Sequence, residues 1–443
     1  MFELAERGEN VRDRNDDADV IVVGAGPAGA TAAHYCASAG LNVLLLEKAS
    51  FPRDKICGDG LTPRAVGELV RMGVPTRAED GWIRNKGLRV VASGRSWELP
   101  WPELKAYPSY GLARSRMNLD QTLAEHAQRT GAKLLERTNV TGPLLDERTG
   151  RVVGVTARPL DENGRRAGDE YELRAPVVVA ADGVSSRFAL ALGLEKREDR
   201  PMGVAVRTYF KTPRHDDAWM ESHLELWDGP AGKSNLLPGY GWIFALGDGT
   251  ANVGLGSVNS TPARQSAANV DYKDLFARWM ANAPAEWEFT PENQTGPVRG
   301  AALPMGFNRK PLYSRGVVLV GDSGGMVSPF NGEGIAYAMQ AARVAADVVA
   351  QSRARGTDAA RERTLATYPE IMRRDLGGYY TLGRYFVRLI EHPEIMRLCT
   401  RYGLPRPLVM RFVLKLLSDC YEPRGGDVVD RVIAGLTRVV PSA

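Results

Sequence analysis

DVIVVGAGPAGATAAHYCASAGLNVLLLEK, residues 19–48, decides the fold. An apolar run, Val20–Val23, leads into Gly24, Gly26 and Gly29 in G-x-G-x-x-G spacing. A small-residue helical stretch, a second apolar run at Val43–Leu46, and Glu47 and Lys48 follow. The glycines serve a tight turn, close approach of the backbone to a pyrophosphate, and contact of helix on strand. Pro27 and Ala28 open the helix, whose first N–H groups and positive dipole end face the phosphates. Glu47, at the end of the second strand, is placed to accept a hydrogen bond from a ribose. Strand, turn, helix, strand and acid in this order predict a Rossmann-like α/β unit.

Two later stretches continue the pattern. VVVAADGVSSRFA (177–189) is an apolar strand running into Asp182 and Gly183. GVVLVGDSGGMVSPFNGEGIAYAMQAA (316–342) is a strand ending at Gly321 and Asp322, then a Gly/Pro-rich loop and a helix. Each alone is a strand-end turn, where Gly and Asp are usual. Together with the first motif they resemble the FAD-dependent oxidoreductases of the p-hydroxybenzoate hydroxylase type, whose cofactor domain is assembled from separated segments. The resemblance implies FAD, with Asp322 on the ribityl chain and Asp182 near the pyrophosphate entrance. Pro329, Gly332, Glu333, Gly334 and Ile335 precede and open the last helix. A helix N-terminus there would stabilise negative charge at the pyrimidine end of a reduced flavin. Glu333 is read as a first-turn helix acid rather than a catalyst.

FPRDKICGDGLTPRAV (51–66) narrows the resemblance. Pro52 through Cys57 and Gly58 match the Pro-x-x-x-x-Cys-Gly element of the geranylgeranyl reductase family, and the longer run CGDGLTPRAV resembles its actinobacterial members acting on the isoprenyl side chain of menaquinone. YGWIFALGD (240–248) is similar to a second family element, with Ala245 where proline is usual. The resemblance covers about residues 17–350 and implies hydrogenation of isolated C=C bonds in a polyprenyl lipid, menaquinone first, geranylgeranyl diphosphate or another isoprenoid lipid second. Such an alkene has no carbonyl to polarise it, so a proton must reach one carbon as hydride reaches the other. Aromatic faces stabilise the cationic character that develops. Tyr240, Trp242 and Phe244 alternate along a strand and share one side; they are read as the channel wall, against the plainer reading of core packing. Cys57, Tyr240 and Trp242 are the candidate catalytic residues, with Cys57 and Gly58 also against the cofactor. A free thiol is mostly protonated near neutrality, so Cys57 is a proton donor or a gate, with a small filler against the flavin as the other reading. Lys55 and Asp59 beside it are expected to form a solvated charge pair. Arg116, in RMNLDQTLAEHA, is expected to reach the cofactor just ahead of a helix begun by Asn118 or Asp120, or else to lie on the surface.

Composition sets the bounds. At 443 residues the chain accommodates two domains. The expected class is an α/β (α+β composite) fold. A flexible arm (1–16) precedes a discontinuous FAD-binding domain (17–84, 113–200, 301–355). An antiparallel-sheet substrate domain (85–112, 201–300) is inserted into it, and a helical region (356–443) ends the chain. The four cysteines lack CxxC or metal-ligand spacing, the five histidines form no triad, and no metal is expected. With no apolar run of membrane-spanning length and a charged N-terminus, a cytoplasmic protein is expected. From Ile371 onward 12 Lys/Arg face 7 Asp/Glu, while the whole chain is only +4. The stretch 407–417 sets Leu408, Phe412 and Leu416 opposite Arg411 and Lys415; the stretch 428–440 sets Val429, Ile433 and Val440 opposite Arg431 and Arg438. A lipid substrate favours reading these as basic amphipathic helices on an anionic membrane surface at the inner face of the cell membrane. There is no second G-x-G-x-x-G, so NAD(P)H or a partner reductant must dock transiently. Basic residues are not clustered with aromatics outside the tail, so nucleic acid is not an expected partner. A flavin monooxygenase and a non-catalytic flavin-stabilised lipid carrier remain as competing classes. A halogenase is disfavoured, because Phe244 stands where that branch carries tryptophan and no proline follows.

Overall fold

The computed structural model describes residues 17–259 and 271–443; the expected N-terminal arm and residues 260–270 of the expected substrate domain lie outside them. Strand Val20–Val23 is central in a six-stranded sheet, paired in parallel with Val177–Ala180 on one side and Val43–Leu46 on the other. All twelve of these residues are buried, as continuous apolar runs require when a parallel sheet is covered on both faces. Val317–Leu319 extends the sheet in parallel beyond Val177–Ala180, and Lys133–Leu135 extends it beyond Val43–Leu46. Helix Pro27–Ser38 makes the first crossover and packs against helix Ile335–Arg353. Three separated stretches of chain therefore end their strands on one edge, where ligands of doubly wound sheets bind.

A seven-stranded sheet faces this unit. Its order is Arg299–Pro304, Met202–Lys211, Thr250–Asn259, Gly239–Ala245, Trp219–His223, Gly87–Ala92 and Arg95–Pro100. The runs read as antiparallel strands are so paired, with Tyr240 opposite Gly256 and Trp242 opposite Gly254. One pairing, Trp219–His223 with Gly87–Ala92, is parallel. Ala245, the departure from the family element, ends its strand opposite Ala251, and the turn that follows uses Gly247 and Gly249 at positive φ. Gly60–Leu61, Ile83–Asn85 and Gly111–Ala113 form a separate small sheet beside the cofactor unit.

The C-terminal region comprises helices Asp358–Leu365, Tyr368–Ile390, Pro393–Leu398, Pro407–Leu417 and Val428–Val439. Tyr368, Met372, Leu376, Tyr379 and Tyr380 join the same hydrophobic cluster as the parallel sheet, as do Val429 and Ile433. The expected basic face of the stretch 407–417 is corrected here at Lys415. Lys415 is 2% exposed and bridges Asp427 and Asp430 at 3.0 and 2.7 Å, and Arg411 also pairs with Asp427. Lys415 therefore neutralises the next helix instead of facing outward, while Arg411 stays exposed. The last helix buries Val429 and Ile433 and exposes Arg431 and Arg438 beside Val428, Val432, Leu436 and Val439. Among the described residues no helix is long and apolar enough to cross a membrane.

Candidate active site

One cavity of about 630 Å³ runs between the two large sheets and the C-terminal helices. Of the candidate catalytic, cofactor-binding and channel residues, all but Gly29 and Gly321 line it. Those two act one layer back. A Cβ on Gly29 would lie 1.7 Å from the Gly24 carbonyl oxygen, and one on Gly321 3.0 Å from the Ala28 side chain. Gly24 adopts φ +96°, and a Cβ there would meet the Ala181 carbonyl oxygen at 2.5 Å. The turn is thus closed tightly enough that its backbone, and not side chains, forms the cavity wall at the helix N-terminus. This is the arrangement that a pyrophosphate needs.

Beside that turn lies a charged lattice that sequence reasoning located only in part. Glu47 accepts from the Ala25 N–H at 3.1 Å and from Arg53 at 2.9 Å. Arg53 reaches on to Asp120 at 2.7 Å, and Asp120 also takes both ends of the Arg116 guanidinium, at 2.6 and 2.7 Å. A surface position for Arg116 is ruled out, since the residue is buried. Its helix runs Arg116–Arg129 after Ser115. Asp120 does not begin that helix; it lies one turn inside, where it neutralises two arginines. Nothing in the local sequence marks Arg53, because its partners stand 6 and 67 positions away.

The other acids divide. Asp182 lines the cavity, but its carboxylate accepts from Ser186 Oγ at 2.9 Å, the Phe188 N–H at 3.1 Å and Ser323 Oγ at 3.2 Å. It thereby caps the short helix Arg187–Ala191. Asp322 lines the cavity in the turn Gly321–Gly324, with its Oδ1 3.5 Å from a Cβ built on Gly334. Glu333 is not a first-turn helix acid. The helix starts at Ile335 after Gly334, and the Glu333 side chain turns to accept the Thr62 hydroxyl at 2.7 Å. Its Oε2 is buried without a protein partner. Burial pushes this carboxyl up to about 7, against the Thr62 hydroxyl and the Arg64 guanidinium.

Cys57 is partly buried on the loop before Gly58. Burial pushes its thiol up, against the pull of the Arg116 guanidinium, so the sulfur holds its proton at neutral pH. Tyr240, Trp242 and Phe244 stand side by side, with ring centroids 6.1 and 6.3 Å apart and Trp242 stacked on Phe244. The Tyr240 hydroxyl donates to the Asn331 carbonyl at 2.6 Å, tying the aromatic strand to the loop before Gly332. A Cβ on Gly58 would come within 3.3 Å of Phe244 and 3.5 Å of Trp242, so the thiol loop lies flat on these rings. The expected solvated pair of Lys55 and Asp59 is overturned. Asp59 is fully buried, and Lys55 lies near Gly183 instead. At the far end the cavity is walled by Phe386, Ile390, Met396, Met410, Val413 and Leu414 of the C-terminal helices.

Comparison with known proteins agrees with this geometry. The family described as FAD binding domain matches residues 17–375. The chain is 36% identical over 429 residues to a protein named menaquinone reductase from Mycobacterium tuberculosis, covering 96% of this chain and 98% of that one. It is 31% identical to digeranylgeranylglycerophospholipid reductase 1 of Methanopyrus kandleri, over 75% of this chain and 80% of that one. Among solved structures, a geranylgeranyl bacteriochlorophyll reductase-like protein from Thermoplasma acidophilum superposes with TM-score 0.72 at 22% identity, covering 95% and 99% of the two chains. The glycine turn, the open helix N-terminus and the ends of three strands on one cavity fit FAD. The chain therefore belongs to the FAD-binding family of flavoprotein oxidoreductases, in the geranylgeranyl reductase branch that includes proteins named menaquinone reductase and digeranylgeranylglycerophospholipid reductase.

Proposed function

We propose that this FAD-dependent reductase hydrogenates isolated C=C bonds of a polyprenyl chain, that of menaquinone, while resting on the inner face of the cell membrane. The observation that carries the reading is the single cavity that begins at the glycine turn, passes the thiol loop and aromatic strand, and ends in an apolar wall. The names of the relatives at 36% identity support the choice of menaquinone.

FAD held along Gly24–Gly29, Asp322 and Gly332–Gly334 would supply hydride chemistry. The chain's own residues supply the rest. The apolar walls hold a flexible isoprenoid and exclude water, which fixes the alkene for attack and strengthens every electrostatic contact inside. The faces of Trp242 and Phe244 stabilise positive charge at the alkene without accepting a proton. Two cavity groups keep a proton near neutrality, the Cys57 sulfur and the Glu333 carboxyl. Either meets the requirement that a proton arrive as hydride does. Cys57 is assigned the donor role because it shares the aromatic surface.

The membrane reading is supported by the outside of the same helices. Leu389, Leu398, Tyr402, Leu408 and Val409 are exposed, with Leu408 70% exposed, and adjoin in sequence the residues that wall the cavity. Arg388, Arg397, Arg401 and Arg406 are exposed among them. An apolar surface rimmed by arginines suits an anionic bilayer, each such cation adding about 1 kcal/mol of attraction.

The test is anaerobic. The FAD-loaded protein is reduced chemically, offered menaquinone in detergent, and the lipid is weighed by mass spectrometry. A gain of two hydrogens on the side chain with reoxidation of the flavin is the expected result. An unchanged lipid, with productive oxygen consumption once an aromatic substrate is added, replaces the reading by a monooxygenase.

A further inference from the structure

The thiol loop is held from behind. Gly58 and Gly60 both line the cavity, and neither has room for a side chain on the aromatic side: a Cβ on Gly60 would meet Met220 at 2.4 Å and Phe244 at 3.0 Å. Asp59 between them points the other way, wholly buried, with φ +65°. L residues rarely adopt that conformation, and such strain persists only where the surroundings over-determine it. Here they do. Asp59 Oδ1 accepts the Arg116 N–H at 3.1 Å, and Oδ2 accepts the Tyr209 hydroxyl and Asn252 Nδ2, each at 2.8 Å.

Asn252 makes the arrangement more than local. The same Nδ2 donates to the Cys57 carbonyl at 2.8 Å, and its Oδ1 accepts the Trp242 indole N–H at 2.8 Å. The Asp59 N–H itself points to Cys57 Sγ at 3.5 Å. One carboxylate therefore fixes the backbone that carries the thiol, the tilt of the Trp242 ring and the first residue of the Arg116–Arg129 helix. Each of its three incoming bonds needs an acceptor, and Oδ2 must accept twice. An amide in its place would present an N–H2 group where one of these acceptors stands, opposite the Asn252 amide that is already fixed as a donor.

We propose that Asp59 is a positioning residue that, through the bonds its carboxyl group makes to Tyr209, Asn252 and the Arg116 N–H, holds the Cys57 thiol and the Trp242 indole in a single geometry. The inference rests on the reductase reading for its kinetic consequence but not for its structural one. Burial pushes the Asp59 carboxyl up to about 6, against Asn252, Tyr209, Arg207 and Arg116. The groups facing it are Cys57 on its own loop, Arg116 from the helix, and Arg207 and Tyr209 from strand Met202–Lys211. The neighbouring strands contribute the uncharged Trp242 and Asn252. Because the assembled site holds the Asp59 proton more tightly than water does, acid does not take the site apart, and the protonated carboxyl can donate to the Tyr209 oxygen while still accepting from Asn252 and the Arg116 N–H.

The experiment compares wild type, Asp59→Asn and Asn252→Ala as FAD-loaded proteins. Amide hydrogen exchange, corrected for the intrinsic pH dependence, is followed over residues 56–62 and 240–245 at pH 5 and pH 7.5. Wild type is expected to keep its protection at both pH values. Asp59→Asn, which puts an amide nitrogen where an acceptor is needed, is expected to be unprotected at both pH values. Should Asp59→Asn fail to fold, Asn252→Ala carries the test, because it leaves Asp59 able to ionise but severs its link to Cys57 and Trp242. It is expected to lose protection at pH 7.5. Protection that is unchanged in the variants, or that wild type loses at pH 5, overturns the proposal. Turnover on menaquinone is then measured: kcat is expected to fall about tenfold in the variants with little change in KM. An enzyme inactive on menaquinone that shows the exchange pattern defeats the substrate and spares Asp59; an active enzyme without the pattern does the reverse.

Discussion

Glu333 offers the sharpest test of the site's electrostatics. Its carboxyl is pushed from an ordinary 4.5 to about 7, chiefly by burial. A group that binds its proton more tightly in the fold contributes most at low pH and costs stability as pH climbs through its folded pKa. With about 2.5 units between the two states, the cost of ionising Glu333 is ~1.4 kcal/mol at pH 5.5 and ~3.4 kcal/mol at pH 8.5. Glu333→Gln removes that pH dependence while its amide oxygen can still accept the Thr62 hydroxyl. The stability of the variant relative to wild type should therefore improve by about 2 kcal/mol between pH 5.5 and 8.5. Contributions of Asp419 and Arg64, which share this corner through a 2.7 Å ion pair, largely cancel in the difference. Urea unfolding of the FAD-loaded proteins, followed by circular dichroism at the two pH values, measures it. A gap that stays constant within about 0.5 kcal/mol would refute the reasoning, since Glu333 would then be ionised throughout and unable to hold a proton in the cavity.

Three further outcomes are expected. Gly29→Ala places a Cβ 1.7 Å from the Gly24 carbonyl oxygen, so the turn must open and the purified variant should lack the visible absorbance of bound flavin; a yellow protein contradicts the assignment of that turn. Lys415→Met leaves Asp427 and Asp430 without their buried partner and should cost ~3–5 kcal/mol in thermal or urea unfolding, whereas a free basic face predicts almost none. Reversing Arg388, Arg397 and Arg401 to Glu should abolish flotation with vesicles containing anionic lipid and leave flavin content unchanged; undiminished flotation removes the arginine rim from the membrane reading.

What could be read in the sequence, and what could not, divides along contact distance in the chain. Gly24, Gly26 and Gly29 were legible because a turn six residues long sets its own requirements, and the apolar runs beside them announce a covered parallel sheet. The Tyr240–Phe244 alternation was legible for the same reason, since the strand's own pleat puts the three rings on one face. Glu333 was misread by two residues: the helix it was assigned to begins after Gly334. Such a shift is ordinary for helix ends, but here it turns a solvated first-turn acid into a buried one.

Asp59 and Lys415 show why the remainder escaped. Beside Lys55, an aspartate reads as half of a surface pair, because the partners that account for it, Tyr209 and Asn252, stand 150 and 193 positions away. Lys415 reads as part of a basic face for the same reason, its two aspartates arriving with the next helix. Local sequence reports what a residue can do in water, and a charged side chain is then assigned to water by default. The fold reverses this wherever distant strands deliver enough acceptors and donors to replace the solvent. The one local trace at Asp59 is its place between Gly58 and Gly60: two residues without side chains leave the acid as the only group that can anchor the loop. In this chain a charged residue bracketed by glycines beside a candidate thiol is better read as an anchor than as surface, and the exchange measurements on Asp59→Asn decide whether that reading holds.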